Sequence, residues 1–244
     1  VTVNFSSQTK NSSVLFGSGG AGNALGLNTT YYFRVAARNN NGLQTGYISL
    51  GSTGTLSAQP LSSAYGSVDI SSITAVWLAN GNPQGTLYQA QVSTDSFATL
   101  NFSSRTYNTS VLFGTGGAGS PLTANTTHYF RVQAFNNMGA ATDYTSLPST
   151  STLAAQPLAS DYGAISVNSI TAVWTGNGNP SITVYEAQVS TDNFSTVNLS
   201  SLTYNSSVLF GAGGEGASLT TNSTHYFRVR AINHNSLLTA FTPL

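Results

Sequence analysis

The chain has no cysteine among its 244 residues. That excludes disulfides, thiolate chemistry and cysteine-ligated zinc or iron–sulfur centres. Charge is nearly as scarce: seven Lys+Arg and seven Asp+Glu make up 6% of the chain, against about 25% in an average soluble domain. The net charge is zero, so no basic stripe exists to attract nucleic acid or an anionic membrane surface. With so few ions, stability is expected to depend little on salt or on moderate changes of pH. No apolar run reaches the ~18 residues of a membrane span, so no membrane insertion is expected in this segment. The chain begins at Val1 without a signal-peptide pattern, so any targeting segment is expected to lie upstream.

Aromatics are not scarce. Twelve Phe, twelve Tyr and two Trp give 11%, a composition that disordered chains lack. The surface must then be covered by Ser, Thr, Asn, Gln and Gly, which suits a protein outside the cell.

An internal repeat organises the chain. Trp77 recurs as Trp174, Tyr88 as Tyr185, and Phe16 as Phe113 and Phe210, always 97 residues apart. Residues 61–147 match residues 158–244 at 52 of 87 positions without a gap, and two and a half copies are present. A period this long exceeds that of an ankyrin or tetratricopeptide solenoid and fits an independent small domain. Within each copy apolar residues alternate with polar ones, as in Ile73-Thr-Ala75-Val-Trp77 and Tyr88-Gln-Ala90-Gln-Val92. Turn signals such as Asn80-Gly-Asn-Pro83 and Asn39-Asn-Asn-Gly42 separate the runs, and no window carries a helical stripe. The fold class expected is all-β, a tandem series of antiparallel sandwiches.

Three further features carry a resemblance. Trp77 and Trp174 end one strand, and Tyr88 and Tyr185 open the next. A third strand is approached through Leu25-Gly-Leu-Asn-Thr29-Thr-Tyr31 and runs on to Phe33, Val35, Ala37 and Asn39. In these the chain resembles the fibronectin type III family, an immunoglobulin-like sandwich with strands lettered A to G. The resemblance covers essentially the whole chain. It implies that residues 1–57 are the C-terminal part of one module, from strand C′ to strand G. Residues 58–154 are then a complete module, and 155–244 a third lacking its last strand. Missing strands would leave core and edge uncovered. The natural chain is therefore expected to continue in both directions, with completion by a strand from a neighbouring chain as the alternative. Where the family pattern has a corner tyrosine, here Tyr31, the later copies carry His128 and His225, expected to cap backbone in its place.

Several constellations have plainer readings. The run Gly114-Thr-Gly-Gly-Ala-Gly119, repeated at 17–22 and 211–216, lacks the following helix that a phosphate cradle needs, and is expected to be a loop or bulge. Asp95 and Asp192, each in Ser-Thr-Asp, are expected to shape turns. No carboxylate pair, Ser-His-Asp set or histidine cluster repeats, so no catalytic residue, metal or cofactor is expected and the chain is read as no enzyme. Asn-x-Ser/Thr occurs at Asn4, Asn11, Asn28, Asn101, Asn108, Asn125, Asn193, Asn198, Asn205 and Asn222, nine of them in three repeat-equivalent sets. These are candidate N-glycan acceptors, although composition alone supplies many such triplets and Asn before the last-named strand also suits a turn.

Arg34, Arg131 and Arg228 are expected to face outward on strand F, with Glu186 on strand C beside Arg228. Tyr32, Tyr129 and Tyr226 share that outward face. These six are candidate surface contacts, with packing against neighbouring residues or modules as the alternative. The F–G loops, 39–47, 136–144 and 233–241, diverge most between copies, through tuned binding or, more simply, relaxed constraint. The function expected is structural: a repeated stalk, sheath or filament on a cell surface, with short Ala-Gln-Pro linkers at 58–60 and 155–157 setting the spacing. Its partners would be neighbouring modules, other copies of itself, and glycans. The alternative is an adhesin or a carbohydrate-associated binding array.

Overall fold

The computed structural model describes residues 2–244, and every regular element in it is a β-strand. The first copy supplies β1 (Thr30–Val35) and β2 (Ile48–Gly54). The second copy begins with β3 (Leu61–Ser62), β4 (Ser72–Leu78) and β5 (Leu87–Ser93). It continues through β6 (Phe102–Thr106), β7 (Ser110–Gly114), β8 (Thr127–Phe135) and β9 (Thr145–Ser151). The third begins with β10 (Leu158–Ala159), β11 (Ser169–Thr175) and β12 (Val184–Ser190). Its remaining strands are β13 (Leu199–Thr203), β14 (Ser207–Gly211), β15 (Tyr226–Ile232) and β16 (Thr242–Pro243).

In the second copy β3-β4-β7 form one sheet and β6-β5-β8-β9 the other; β10-β11-β14 and β13-β12-β15-β16 do the same in the third. All these strand pairs are antiparallel. The alternation in sequence becomes alternation in burial. Along β8, His128, Phe130, Val132 and Ala134 point inward, while Tyr129, Arg131 and Gln133 lie on the other face, half-buried. Tyr88 and Val92 of β5 join them from the same sheet, and Ile73, Ala75 and Trp77 of β4 with Phe113 of β7 meet them from the opposite one. The Trp77 and Tyr88 rings lie 5.6 Å apart and the Phe113 and Phe130 rings 6.0 Å, separations at which aromatic pairs add to the gain from burial. The third copy reproduces the pairs, with 5.7 Å from Trp174 to Tyr185 and 5.8 Å from Phe210 to Phe227.

The ends depart from expectation in two respects. In the first copy, among the described residues, only the last two strands form; residues 4–11, aligned with β6, make no strand, and no described strand stands where β5 pairs with β6 in the second copy. The same lack shows in β1. Val35 is 51% exposed, whereas its equivalents Val132 and Val229 are 0% exposed beneath a facing sheet. The third copy, expected to lack its last strand, retains the start of it. Thr242 and Pro243 pair with Val229 and Arg228, and Leu244 N–H donates to Phe227 O at 3.0 Å.

Candidate functional site

The most elaborate polar constellation in the molecule lies between modules. Asn28 and Asn125 sit in the left-handed region at φ 43° and 44°, in the turn before β1 and β8. That backbone, which Asn tolerates better than other side-chain-bearing residues, swings each side chain into the following module. There the Asn28 amide donates to Thr86 Oγ1 at 3.0 Å, and the Asn125 amide to Thr183 Oγ1 at 2.8 Å. The carbonyl oxygens accept from the F–G loop of the same following module: Asn137 N–H to Asn28 at 2.6 Å, His234 N–H to Asn125 at 2.8 Å. From that loop Asn136 and Asn233 reach back to Thr55 O and Thr152 O, at 3.2 and 3.3 Å. Asn28 is 4% exposed and Asn125 0%. Asn222, the third of the set, is exposed.

The F–G loops 136–144 and 233–241, whose divergence left tuned binding or relaxed constraint open, are thus occupied by the preceding module. Their divergence has a physical reason. The bond that Asn137 and His234 share is a backbone N–H, which any residue but proline supplies, with the Asn137 amide adding a bond to Asn28 O at 2.9 Å in its own seam, while the Asn136 and Asn233 side chains that brace the loop are retained. Each braces it by accepting two backbone N–H groups, from Met138 and Ala140 or from Asn235 and Leu237.

The Ala-Gln-Pro linkers are held on both sides. Asn82 accepts from Ala58 N–H and donates to Ala58 O, each at 2.7 Å, and Asn80 donates to Gln59 O at 2.9 Å. From the other side Thr145 Oγ1 donates to Pro60 O at 2.6 Å. Asn179, Asn177 and Thr242 make the same bonds to Ala155, Gln156 and Pro157. Asn80-Gly81 and Asn177-Gly178, all at positive φ, close the B–C turns that present these side chains. Both linkers end in a buried proline. They are clamped segments rather than tethers.

On the outer face of the sheets that carry strand F each arginine of the row is stacked. The Arg131 guanidinium lies 4.2 Å from the Phe97 ring centre and 4.3 Å from that of Tyr144; Arg228 lies between Phe194 and Phe241 at 4.1 and 4.0 Å. Arg34 stacks on Tyr47 at 4.0 Å. Each such contact is worth about 0.5–1 kcal/mol where solvent reaches it. Arg131 and Arg228 also donate Nε–H to Gln91 and Gln188 at 2.8 Å. The expected partnership of Glu186 with Arg228 does not form. The register sets Gln188 opposite Arg228 and Glu186 opposite Arg230, and the ion pair is Arg230–Glu186 at 2.6 Å. Burial pushes the Glu186 pKa up, but Arg230, Gln188 and Ser200 outweigh it and hold the group below its usual range.

The ring partners Phe97 and Phe194 are not evident from periodicity, because they lie in the turn after strand C at φ 69° and 64°. The repeated Ser-Thr-Asp-x-Phe was the available signal. Ser93 Oγ accepts from Asp95 and Phe97 N–H and donates to Asp95, which in turn accepts from Thr99 N–H and its hydroxyl. Thr99, through hydroxyl and backbone, and then Ser93 hold the Asp95 pKa down to about 2. Backbone and hydroxyl bonds lower Asp192 in the same way.

The tyrosine row is uneven: Tyr32 is 84% exposed, Tyr226 exposed, and Tyr129 half-buried. At the corner, Gly26 N–H donates to the Tyr31 hydroxyl at 2.8 Å, while His128 and His225 meet Thr126 O and Ser223 O through Nδ1 at 2.8 and 3.1 Å. Burial lowers the His128 pKa, and the bond to Thr126 O opposes that shift only in part. The glycine runs are hairpin-like loops with φ near 96° at Gly114 and Gly211, closed by Gly117 N–H to Gly114 O. The sequons divide. Asn4, Asn11, Asn101, Asn108, Asn193, Asn198 and Asn205 are exposed. Asn28 and Asn125 are enclosed, and the atom a glycan would need is engaged by a threonine, so the formed seam has no room for one. Among the described residues no three His, Asp or Glu gather as a metal site, and no helix is long and apolar enough to cross a membrane.

A three-stranded A-B-E sheet packed on a four-stranded C′-C-F-G sheet, with Trp ending B and Tyr opening C, defines the fibronectin type III fold, present here in tandem. A two-domain fibronectin type III segment of chicken tenascin is similar over 77% of this chain and 98% of that one, with a TM-score of 0.53 and 14% identity. The FN1–FN3 domains of chicken CNTN1 align with 88% of this chain and 75% of theirs, at 14% identity and a TM-score of 0.31. No family model and no curated protein matches the sequence.

Proposed function

We propose that this chain is a structural array, a stalk, sheath or filament outside the cell that sets distance and direction through jointed sandwiches. The observation that carries this reading is the seam. At two successive junctions the same left-handed asparagine, threonine and F–G loop make the same bonds, 97 residues apart. Each linker is also clamped to the module that follows it, which shortens the free stretch at the joint, so bending requires breaking the several seam bonds together. A surface of neutral polar groups supports an extracellular setting and lets arrays lie side by side without charge repulsion. Nothing in this role calls for catalysis. The adhesin reading is weaker, because the loops such a protein would use are committed to the neighbouring module.

Small-angle scattering on the chain tests the proposal. A jointed rod gives one maximum dimension and a cross-section constant along its length, and Asn125→Gly broadens the distance distribution. Modules tumbling independently in the unaltered chain would overturn it.

A further inference from the structure

One flank of each sandwich is built from two neighbouring free edges, β6 and β7 in the second module and β13 and β14 in the third. A free edge presents unpaired backbone N–H and C=O groups to any other strand. Within the complete module the other flank is guarded. The opposite flank has a two-residue strand, β3, beginning just after the buried Pro60, and Pro148 within β9. On the flank in question the glycine loop folds back along the end of β7, where Ala118 N–H donates to Leu112 O at 2.8 Å and Gly114 N–H to Ala118 O at 3.0 Å. That leaves β6 and β13 open. Arg105 gives β6 one charge; β13, Leu199-Ser-Ser-Leu-Thr203, has neither charge nor proline, and its Leu202 is 66% exposed.

Sequons stand at both ends of these two strands. Asn101 directly precedes β6 and Asn108 follows it by two residues; Asn198 and Asn205 bracket β13 identically. All four are exposed. At the hairpin tip the backbone is fixed the same way in each copy, Asn108 N–H to Thr106 Oγ1 and Asn205 N–H to Thr203 Oγ1, both at 3.0 Å. Neither tip side chain is tied to the protein, in contrast to Asn28 and Asn125. The triplet survives where its middle residue changes, Asn101-Phe-Ser to Asn198-Leu-Ser and Asn108-Thr-Ser to Asn205-Ser-Ser.

The geometry points to Asn101, Asn108, Asn198 and Asn205 as N-glycan acceptors whose glycans screen the open β6 and β13 edges against antiparallel pairing with the same edge of a second copy. The transfer needs a lipid-linked pyrophosphoryl oligosaccharide and its transferase. The Nδ2–C1 bond forms as the C1–O bond to pyrophosphate breaks, the lipid pyrophosphate leaves, one amide proton passes to the transferase's base, and nothing is oxidised or reduced. A second copy is the natural occupant of the bare edge, because an antiparallel pair of identical strands about a two-fold axis matches itself without further complementarity.

The test uses the 244-residue chain secreted from cells with N-glycosylation machinery, and the same chain made in bacteria. Enzymatic glycan release in heavy-oxygen water marks each former acceptor as a labelled aspartate. The label is expected at these four positions and absent from Asn125. By sedimentation velocity the secreted chain is expected to run as a monomer and the bacterial one as a dimer or larger. Leu202→Lys in the bacterial chain is expected to return it to monomer by setting a charge on the edge. Four unlabelled positions, a label at Asn125, a bacterial chain that stays monomeric, or a Leu202→Lys chain that still associates would each overturn the proposal.

Discussion

Asn125 in the second module and Thr183 in the third are 58 residues apart in sequence, yet they share a buried hydrogen bond of 2.8 Å across the module boundary. Asn28 and Thr86 repeat it with the same separation. The residue is held by its neighbours on both sides: the preceding module fixes its left-handed backbone, and the following one satisfies its amide.

Replacing Asn125 by Gly keeps a residue at ease at φ 44° and removes only the side chain. Thr183 Oγ and His234 N–H then lose a buried partner, at about 1–3 kcal/mol for a group left unsatisfied. The expected outcome is a lower melting temperature for the third module and independent tumbling about the joint, measured by calorimetry and by NMR relaxation.

Arg131→Lys keeps the charge but loses the flat guanidinium between Phe97 and Tyr144 and the Nε–H bond to Gln91. It is expected to cost about 1 kcal/mol, with Arg131→Ala costing more through lost packing of the side-chain stem. Urea denaturation measures both. A lysine variant as stable as the parent would show that charge alone mattered.

Acid should weaken the array through its two turn aspartates. Asp95 titrates at about 2 when folded, against about 3.9 in an unfolded chain. A depressed carboxylate contributes stability that is whole above the unfolded value and is lost as pH falls toward the folded one. Melting temperature is therefore expected to fall between about pH 4 and about pH 2, and Asp95→Asn with Asp192→Asn to flatten that decline.

His128 acts at milder pH with the same sign. Burial lowers its pKa, so the unfolded chain takes up the proton first, and stability present above about pH 6.5 is lost as pH falls below it. His128→Tyr, which restores the residue of the first copy, is expected to remove this dependence from the melting curve.

Phe210 is fully buried against Phe227. Phe210→Ala is expected to cost about 3–5 kcal/mol. Because the modules have separate cores, calorimetry should show the transition of the third module moving while that of the second holds.

How much of this was legible follows from the kind of signal each residue gives. Trp77, Tyr88 and Phe130 declare a sandwich because burial follows a period of two and the period survives 97 residues on. The outward face of Arg131 follows from the same rule, but its partners do not: Phe97 and Tyr144 come from a turn and from the far end of a loop, where periodicity carries nothing. The Glu186–Arg228 expectation failed because face alone does not fix register; the pairing of Ala187 with Val229 moves the acid to Arg230. Asn125 is the instructive case. In sequence it is at once a sequon and a turn residue, and only burial tells that it belongs to a joint, since its partners Thr183 and His234 lie in the next module.

That joint carries a further consequence. Both seams join the turn before strand F of one repeat to the B–C and F–G loops of the next, in the same frame. Excising or duplicating any whole 97-residue period, wherever the cut falls, regenerates the same joint. Copy number can thus change by whole repeats without any interface needing repair, and the length of the array becomes a quantity that heredity can adjust in whole steps.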